Sequence, residues 1–316
     1  MVRRVVTIAL FGFAALSVLR LTNRTSVGAG VWVLDLIAQF SIHIMVGAIA
    51  LAFALVLQKR WRALAAILFV SIIGYWDVIG YSRVAALSSA ADQGSFTVAT
   101  ANIWMSREAL SSVLLLAEQA DVDVLALNEA PQTSCKEILN KAPTFAFCRL
   151  VAEYPDGAPL SRTIALVSKT EPARWQVHYP TGAYHRAIIE AQFRLGGDDL
   201  LLVATHPMPP VTPSFLRARD ITIETVKAIV GNETSFIVMG DFNTTPWAGA
   251  FGDLPGKRAG DPRGESTWLS GAPIFGLPID HIMLGSDLSL HDYRVGPNIG
   301  SDHRPLFATL SIAENP

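Results

Sequence analysis

The sequence predicts an α/β fold in which two mixed β-sheets pack face to face with helices outside, preceded by N-terminal transmembrane helices. The first 83 of the 316 residues contain three long apolar runs, whereas the remainder alternates apolar and polar segments. In that remainder, strand-like segments occur in pairs with occasional helices, which parallel βαβ alternation alone does not describe. Short polar motifs follow several of these strands, so the loops at one sheet edge are expected to converge into one site.

Three apolar runs predict a membrane anchor in residues 1–83. They are residues 5–19, which carry no charge, residues 31–57 and residues 63–81. Because about 20 helical residues span the hydrocarbon core of a bilayer, the second and third runs are long enough to cross and the first is short. Two alternatives stay open: a buried helical core for all three runs, and a cleaved signal peptide for the first.

Basic residues between the runs predict the orientation. A cytoplasmic N-terminus places five Lys/Arg residues inside and three outside, as the positive-inside rule favours. We therefore expect a multi-pass protein of the bacterial plasma membrane with everything after residue 83 in the periplasm. Cys135 and Cys148 lie in that outer part, where an oxidising compartment would let them form a disulfide; two buried free thiols are the alternative.

Composition divides the outer part into a linker and a domain. The small polar residues 84–95 predict a linker, and residues 96–316 form the predicted catalytic domain. The predicted helices are 106–120, with Ser106 as N-cap, and 214–230. The predicted strands are 96–103, 123–130, 163–169, 185–195, 199–207, 235–243, 280–285, 292–295 and 305–312.

The charge of the outer part argues against tight non-specific binding of nucleic acid. Residues 84–316 contain 25 acidic and 17 basic side chains, a net charge of about −8, with no Lys/Arg run. Proteins that bind duplex DNA usually present a basic face that neutralises phosphates. The membrane anchor and this acidity favour a lipid-like or small phosphodiester over duplex DNA as the partner.

Two strand ends carry candidate metal ligands. Glu129 ends an apolar strand, where a carboxylate is costly unless it is paired or bound to a metal. Asn102 ends the preceding strand, where it would support the same ion. These oxygen donors suit Mg²⁺ or Mn²⁺. The ordinary alternatives are an exposed strand-end glutamate and a turn-forming asparagine.

Two further motifs carry candidate catalytic groups. Asp241, in Gly-Asp-Phe-Asn at 240–243, follows a buried strand and would take a proton from water or orient it, while Asn243 would hold a phosphate oxygen. Asp302 and His303 are adjacent in sequence, so they cannot share a strand face and are expected on a loop. Asp280 precedes a strand and would fix the tautomer of an imidazole by accepting its ring N–H.

His206 and Arg186 complete the candidate set. His206 follows an apolar strand and would protonate or bind the phosphate, and Arg186 would contact phosphate. The alternatives are a structural histidine and a surface arginine. Hydrolysis of a phosphate ester needs a metal, a group that activates water and donors to the phosphoryl oxygens. The set supplies all three.

The ordered motifs resemble the endonuclease/exonuclease/phosphatase superfamily. TANIW, LNEA, SK at 168–169, RAIIEA, THP, GDFN, IDHIML and SDHRPL occur over roughly residues 95–313. The resemblance implies a four-layered α/β sandwich with a Mg²⁺-dependent site that hydrolyses phosphate esters. With its membrane segments the chain is most similar to membrane-anchored bacterial members, the YafD-like proteins.

The resemblance also implies roles for individual residues. It implies metal ligands at Asn102 and Glu129 with Asp302 in support, water activation by Asp241, phosphate binding by Asn243, an acid–base pair of Asp280 and His303, and a second histidine at His206, as in the deoxyribonuclease and sphingomyelinase branches. The chain departs from the family at Asn128, where glutamine usually precedes the glutamate, and lacks a second Asn or Asp soon after Asn102.

Other functions remain open from the sequence. A periplasmic nuclease is the related alternative to a phosphodiesterase that acts on lipid-like esters. A catalytically silent binding domain would show no Mg²⁺ binding that depends on Glu129. A transporter would use Asp35, His43 and Asp77 inside the membrane, although interfacial residues on an anchor explain them more simply.

Overall fold

The second apolar run is the part of the predicted anchor that the structure describes best. The computed structural model describes Gly12 and residues 31–61, 63–65, 68–69, 83–88, 94–154, 163–182, 184, 186–261 and 264–312. The first apolar run, apart from Gly12, and most of the third lie outside these residues. The two transmembrane segments predicted there therefore stay predictions.

The second run forms two helices instead of the single predicted one. Helix α1 spans Trp32–Gln39 and helix α2 spans Ser41–Leu57, with a bend of 63° between them. No single helix of the described chain is long and apolar enough to cross a membrane, although this bent pair meets both criteria when its halves are counted together. The break follows from polar contacts, because Asp35 and Gln39 hydrogen-bond to the domain that follows and hold α1 against it.

The strands of the described chain form two mixed sheets, as the sequence predicts, and each sheet has six strands. In sheet 1 the order is β11 (Leu288–Val295), β12 (Leu306–Ile312), β1 (Phe96–Asn102), β2 (Val124–Ala130), β4 (Thr163–Ser168) and β3 (Phe147–Ala152). In sheet 2 it is β5 (Arg174–His178), β6 (Ile188–Leu195), β7 (Asp198–Thr205), β8 (Phe236–Asp241), β10 (Asp280–Leu284) and β9 (Lys257–Arg258). The β1–β2 and β7–β8 pairs are parallel.

Helices on the two outer faces make this a four-layered sandwich. Helix α3 (Arg107–Gln119) and helix α4 (Ser134–Lys141) pack on sheet 1, and helix α5 (Pro213–Val230) packs on sheet 2. The predicted N-cap of α3 is confirmed, since the Ser106 hydroxyl accepts a hydrogen bond from the backbone N–H of Ala109 at 3.1 Å. Short 3-10 helices at Gly249–Asp253 and Pro273–Phe275 lie in the loops.

Alternation along the strands fills two kinds of core. In β1, Val98 belongs to the central core between the sheets, where Ile237 and Met239 of β8 face it. The neighbouring Ala99 points the other way and packs in the layer that contains α3. Successive side chains of a strand point to opposite faces, so a strand with helices on one side and a sheet on the other is apolar throughout.

Several elements were not predicted from the sequence. These are α4 and the strands β3, β5 and β9, and each of the three strands lies at the edge of its sheet. Their residues are mostly half-buried or exposed, so the apolar pattern that identifies an inner strand is weak. Cys135 of α4 and Cys148 of β3 form a disulfide, which selects one of the two alternatives left open by the sequence.

The ionisable residues of the second run contact the two-sheet domain. Asp35 is 2% exposed and pairs with Arg219 of α5, and His43 Nε2 lies 3.1 Å from the carbonyl oxygen of Phe275. These contacts argue against the transporter hypothesis, in which both side chains would face other membrane helices. Asp77 lies outside the described residues.

Candidate active site

The strand ends of both sheets bring most of the candidate residues together. Asn102 ends β1, Glu129 lies near the end of β2 and Asp241 ends β8. Asp280 begins β10 and stands directly opposite Asp241 in the antiparallel β8–β10 pair. Because β1 and β2 run parallel, as do β7 and β8, their carboxyl ends share an edge of the sandwich.

Asn128 links the two sheets beneath this edge. Its Oδ1 accepts a hydrogen bond from the backbone N–H of Asp241 at 2.9 Å, and its Nδ2 donates to the carbonyl oxygen of Thr205 at 3.3 Å. The shorter amide therefore reaches sheet 2 and fixes the backbone of Asp241. Gly240, between these contacts, has φ +146°, and a Cβ atom there would collide with the Thr205 carbonyl. The motif needs glycine for this reason.

Asp241 is the central carboxylate of the site. Its Oδ2 lies 3.1 Å from Asn102 Nδ2, 3.3 Å from His206 Nε2 and 3.7 Å from His303 Nε2. Its Oδ1 accepts the backbone N–H of Asn243 at 2.9 Å. Burial raises the pKa of Asp241, but the charge of His303 and the hydrogen bond from His206 outweigh it and hold that pKa well below its usual range. Such a carboxylate is a weak base and is better suited to orient water than to deprotonate it.

Asp280 and His303 form the predicted pair. His303 Nδ1 lies 2.8 Å from Asp280 Oδ2, which leaves Nε2 facing Asp241. Burial lowers the pKa of His303, but the charges of Asp280 and Asp241 raise it to about 10. Burial also raises the pKa of Asp280, against the attraction of His303. The raised pKa of His303 favours the protonated imidazole, and its Nε2 is directed at Asp241.

A second carboxylate–histidine pair joins the predicted His206 to Glu153, which was not predicted as a site residue. His206 Nδ1 lies 2.8 Å from Glu153 Oε1, and Glu153 is fully buried. Burial and Arg186 lower the pKa of His206, but Glu153 and Asp241 raise it further, so the net shift is upward. Glu153 was not predicted because it follows β3, a strand with a weak pattern. The signal that would have found it is a glutamate directly after that apolar segment.

A cleft lined by Glu129, Asp241 and His303 lies at this edge of the sandwich. The two predicted phosphate-binding residues also line it. Arg186 is 1% exposed, which excludes a surface arginine, and its Nε lies 3.2 Å from Glu153 Oε2. Asn243 has φ +49°, and its Nδ2 donates to the carbonyl oxygen of Pro207 at 3.0 Å. Arg186 is thus already engaged by a buried carboxylate. Contact of either residue with phosphate stays a prediction.

The predicted metal ligands border the cleft as well. Glu129 Oε1 lies 3.3 Å from Asn102 Nδ2, while Asn102 Oδ1 accepts the backbone N–H of Trp104 at 3.0 Å. Asn102 therefore turns its nitrogen toward the carboxylates in this arrangement. Asp302 lies on a loop, as predicted, and lines the cleft with its Oδ2 3.3 Å from Trp268 Nε1.

The donor set fits a hard divalent cation. In and directly behind the cleft, five carboxylates stand against one arginine and two histidines, so negative charge is in excess even with both imidazoles protonated. Asp241, Asp280 and His303 also place ligand atoms within 4.8 Å of one another. Asp280 and His303 engage each other, however, so the predicted role of Glu129, with Asp302, in holding the cation stays a prediction.

The four-layered sandwich carries a cleft of carboxylates, histidines and an arginine, which are groups that hydrolysis of a phosphate ester uses. Residues 99–303 match the model of the Endonuclease/Exonuclease/phosphatase family, and the chain belongs to this family. The resemblance drawn from the motifs is thereby confirmed. A search of curated protein sequences finds no match.

Solved structures share the fold at low sequence identity. They include a humanized D. rerio TDP2 (17% identity, 69% of this chain and 99% of that chain, TM-score 0.55) and an endonuclease/exonuclease/phosphatase from Beutenbergia cavernae (17%, 69% and 72%, 0.56). A mannosyl-6-phosphatase from Bacteroides thetaiotaomicron is similar at 16% identity (69% and 100%, 0.53). These similarities show the fold.

Proposed function

We propose that this chain is a membrane-anchored, divalent-metal-dependent phosphodiester hydrolase with its catalytic domain in the periplasm. The observation that carries the proposal is the position of Asp241 between His206 and His303, each held by its own buried carboxylate. Such a constellation supplies both a group to orient water and two imidazole donors whose pKa values are raised. A catalytically silent domain would have no need of these buried charges.

In the proposed reaction Asp241 orients the attacking water, whose oxygen bonds to phosphorus while the ester P–O bond to the leaving group breaks. A histidine gives its proton to the leaving oxygen, and the proton lost by the water restores that histidine. The Nε2–H groups of His206 and His303 donate to phosphoryl oxygens as negative charge develops there. Their other ring nitrogens are occupied by Glu153 and Asp280, so both imidazoles keep one orientation. Glu129 with Asp302 and Asn102 would hold a Mg²⁺ or Mn²⁺ ion, which would supply positive charge to stabilise the phosphate.

Replacing Asp241 by Asn tests the proposal with little change of shape. Hydrolysis of bis-p-nitrophenyl phosphate by the full chain is expected to fall by about 10²–10⁴-fold, and EDTA is expected to abolish it until Mg²⁺ or Mn²⁺ is restored. Asp199→Asn, an exposed change on β7, is the matched control. Activity that survives both EDTA and Asp241→Asn would reject the hydrolase mechanism.

The periplasmic location is supported by the sequence and by the disulfide. The distribution of basic residues favours a cytoplasmic N-terminus, and the Cys135–Cys148 bond is expected in an oxidising compartment. Alkaline phosphatase fused after residue 90 should be active and a fluorescent protein fused there should be dark. The reverse pattern would place the domain in the cytoplasm.

A nuclease is the second candidate. Trp104 lines the cleft and is 59% exposed, so its ring is free to stack on a base. One D. rerio TDP2 structure of the same fold holds a single-strand DNA product. Competition between single-stranded DNA and a phospholipid for the same cleft separates the two functions, because the preferred substrate inhibits hydrolysis of the other.

A further inference from the structure

Helix α1 is fixed on the catalytic domain by a buried ion pair. Arg219 of α5 donates one hydrogen bond to each carboxylate oxygen of Asp35, both at 2.8 Å. The two side chains are 1% and 3% exposed. Bidentate geometry is directional, and leaving either buried charge alone is costly. The pair therefore specifies one position for α1 on the domain.

The other end of α1 is tied to the loop that follows the catalytic motif. Gln39 Oε1 accepts the backbone N–H of Thr245 at 2.7 Å, and the Gln39 carbonyl accepts Trp247 Nε1 at 2.8 Å. Thr245 comes two residues after Asn243. Hydrogen bonds thus join helix α1 to the loop that follows Asn243.

Helix α1 also supplies part of the cleft wall. Leu36, Gln39 and Phe40 line the cleft of about 390 Å³ that Asp241 and His303 also line. These three wall residues lie outside residues 99–303, which match the family model. The wall is therefore an addition to the catalytic core that the family shares.

The cleft joins polar catalytic groups to an apolar rim. Phe40, Trp104 and Val211 line it and are 38%, 59% and 49% exposed, whereas Asp241 and His303 are buried. Large apolar side chains left exposed around a polar site indicate a ligand with one polar and one apolar end.

Helix α2, which follows Phe40 in the chain, carries an exposed apolar stripe. Val46, Ile49, Phe53 and Val56 recur at intervals of three and four residues, so they share one face of the helix. They are between 40% and 65% exposed. The stripe begins one and a half turns after Phe40 and offers a surface for a chain longer than the cleft itself.

We propose that α1 is a specificity-determining wall that selects phosphate esters of lipids, with the apolar chain against Leu36 and Phe40 and leading to the α2 stripe. This inference rests on the proposed function, because the polar end of the ligand is the phosphate ester that is cleaved. It adds the substrate class and the residues that choose it.

Two p-nitrophenyl alkyl phosphates, methyl and octyl, test the wall because they share a leaving group and differ only in the apolar chain. With full-length protein in nanodiscs, kcat/KM for the octyl ester is expected to exceed that for the methyl ester by at least about tenfold. Phe40→Ala and Leu36→Ala should lower the octyl value by about tenfold and change the methyl value by less than about twofold. Leu115→Ala, an exposed change on α3, should leave the ratio unaltered.

The outcomes separate this inference from the proposed function. Equal hydrolysis of the two esters, or an octyl-to-methyl ratio unchanged by Phe40→Ala, would contradict the specificity-determining role of α1. The proposed hydrolase activity would be unaffected by either result. If wild-type protein hydrolyses neither ester, the proposed function fails, and calorimetric measurement of binding then tests whether α1 selects the apolar chain. Octyl phosphate should then bind about tenfold more tightly than methyl phosphate, a preference that Phe40→Ala removes; equal affinities would overturn it.

Discussion

At the scale of single residues, the site depends on which histidines carry a charge. His303 lies within 4 Å of two carboxylates and His206 within 4 Å of three, and both have raised pKa values. His281, next to Asp280 in sequence, is buried near Arg258, and burial first and this arginine second lower its pKa to about 3. Its Nε2–H donates to the carbonyl of Thr244 at 2.7 Å. Neighbouring carboxylates thus distinguish catalytic from structural histidines.

Removing the charge of Asp280 should move the alkaline limb of the activity profile. The pKa of His303 is raised to about 10, so wild-type protein keeps the donating proton until the pH approaches that value and loses activity above it. In Asp280→Asn the pKa falls by roughly 1–3 units, and the limb of kcat/KM moves to lower pH by the same amount. Asp292→Asn, an exposed change, is the control. A limb that stays in place in Asp280→Asn would show that His303 is not the donor.

The same shift has a consequence for stability. A histidine whose pKa is raised on folding stabilises the protein fully below the ordinary value of 6.5, and this contribution disappears as the pH rises toward about 10. Metal-free protein should therefore lose unfolding free energy across that range.

Asn128 is expected to matter for stability more than its size suggests. Asn128→Ala leaves the backbone N–H of Asp241 and the carbonyl of Thr205 buried without this partner, which costs about 1–3 kcal/mol of unfolding free energy. Urea unfolding measures the loss. Asn140→Ala, on the exposed side of α4, provides the comparison, and equal midpoints for the two variants would contradict the bridging role.

At the scale of elements, the inner strands could be predicted, whereas three of the four edge strands could not and the fourth, β11, was predicted only in its last four residues. An inner strand such as β8 is buried at every position, so its apolar run stands out in the sequence. The edge strand β5 has neighbours on one side and is half-exposed along its length, so its composition resembles that of a loop. Because β3 was missed for the same reason, Glu153 was missed with it.

The disulfide joins two of the unpredicted elements, α4 and β3. It closes a loop of 13 residues, so replacing both Cys135 and Cys148 by Ser should lower the unfolding free energy by about 2–3 kcal/mol. A reductant should bring the wild-type protein to the same thermal midpoint and leave the double variant unchanged. A wild-type midpoint that does not respond to reduction would contradict a stabilising bond.

At the scale of the whole molecule, helix α1 and the two-sheet domain are packed together. Asp35 and Arg219 are 184 positions apart in sequence and form a buried pair. Polar residues within an apolar run suggested an interfacial anchor, whereas the structure gives them partners on the domain. Helix α1 therefore lies beside the residues of the candidate site.

Breaking this pair should destabilise the full chain. Arg219→Met leaves Asp35 buried without its cation and should cost about 3–5 kcal/mol, whereas Arg217→Met, exposed on the same helix, should cost less than about 0.5 kcal/mol. Asp35→Leu combined with Arg219→Met removes both charges and should recover most of the loss. Denaturant unfolding of the four proteins checks this, and equal stability of the two arginine variants would contradict the anchoring role.

The sequence by itself determined the two-sheet architecture, the positions of the inner strands along the chain and most of the residues of the candidate site. It did so because side-chain periodicity and polar residues at strand ends are local properties. The tertiary structure decided the partner of His206, the disulfide that links α4 to β3 and the position of α1 beside the cleft. These depend on contacts between distant segments, and whether a charge such as Asp35 is buried or exposed is set by the surface that folds against it.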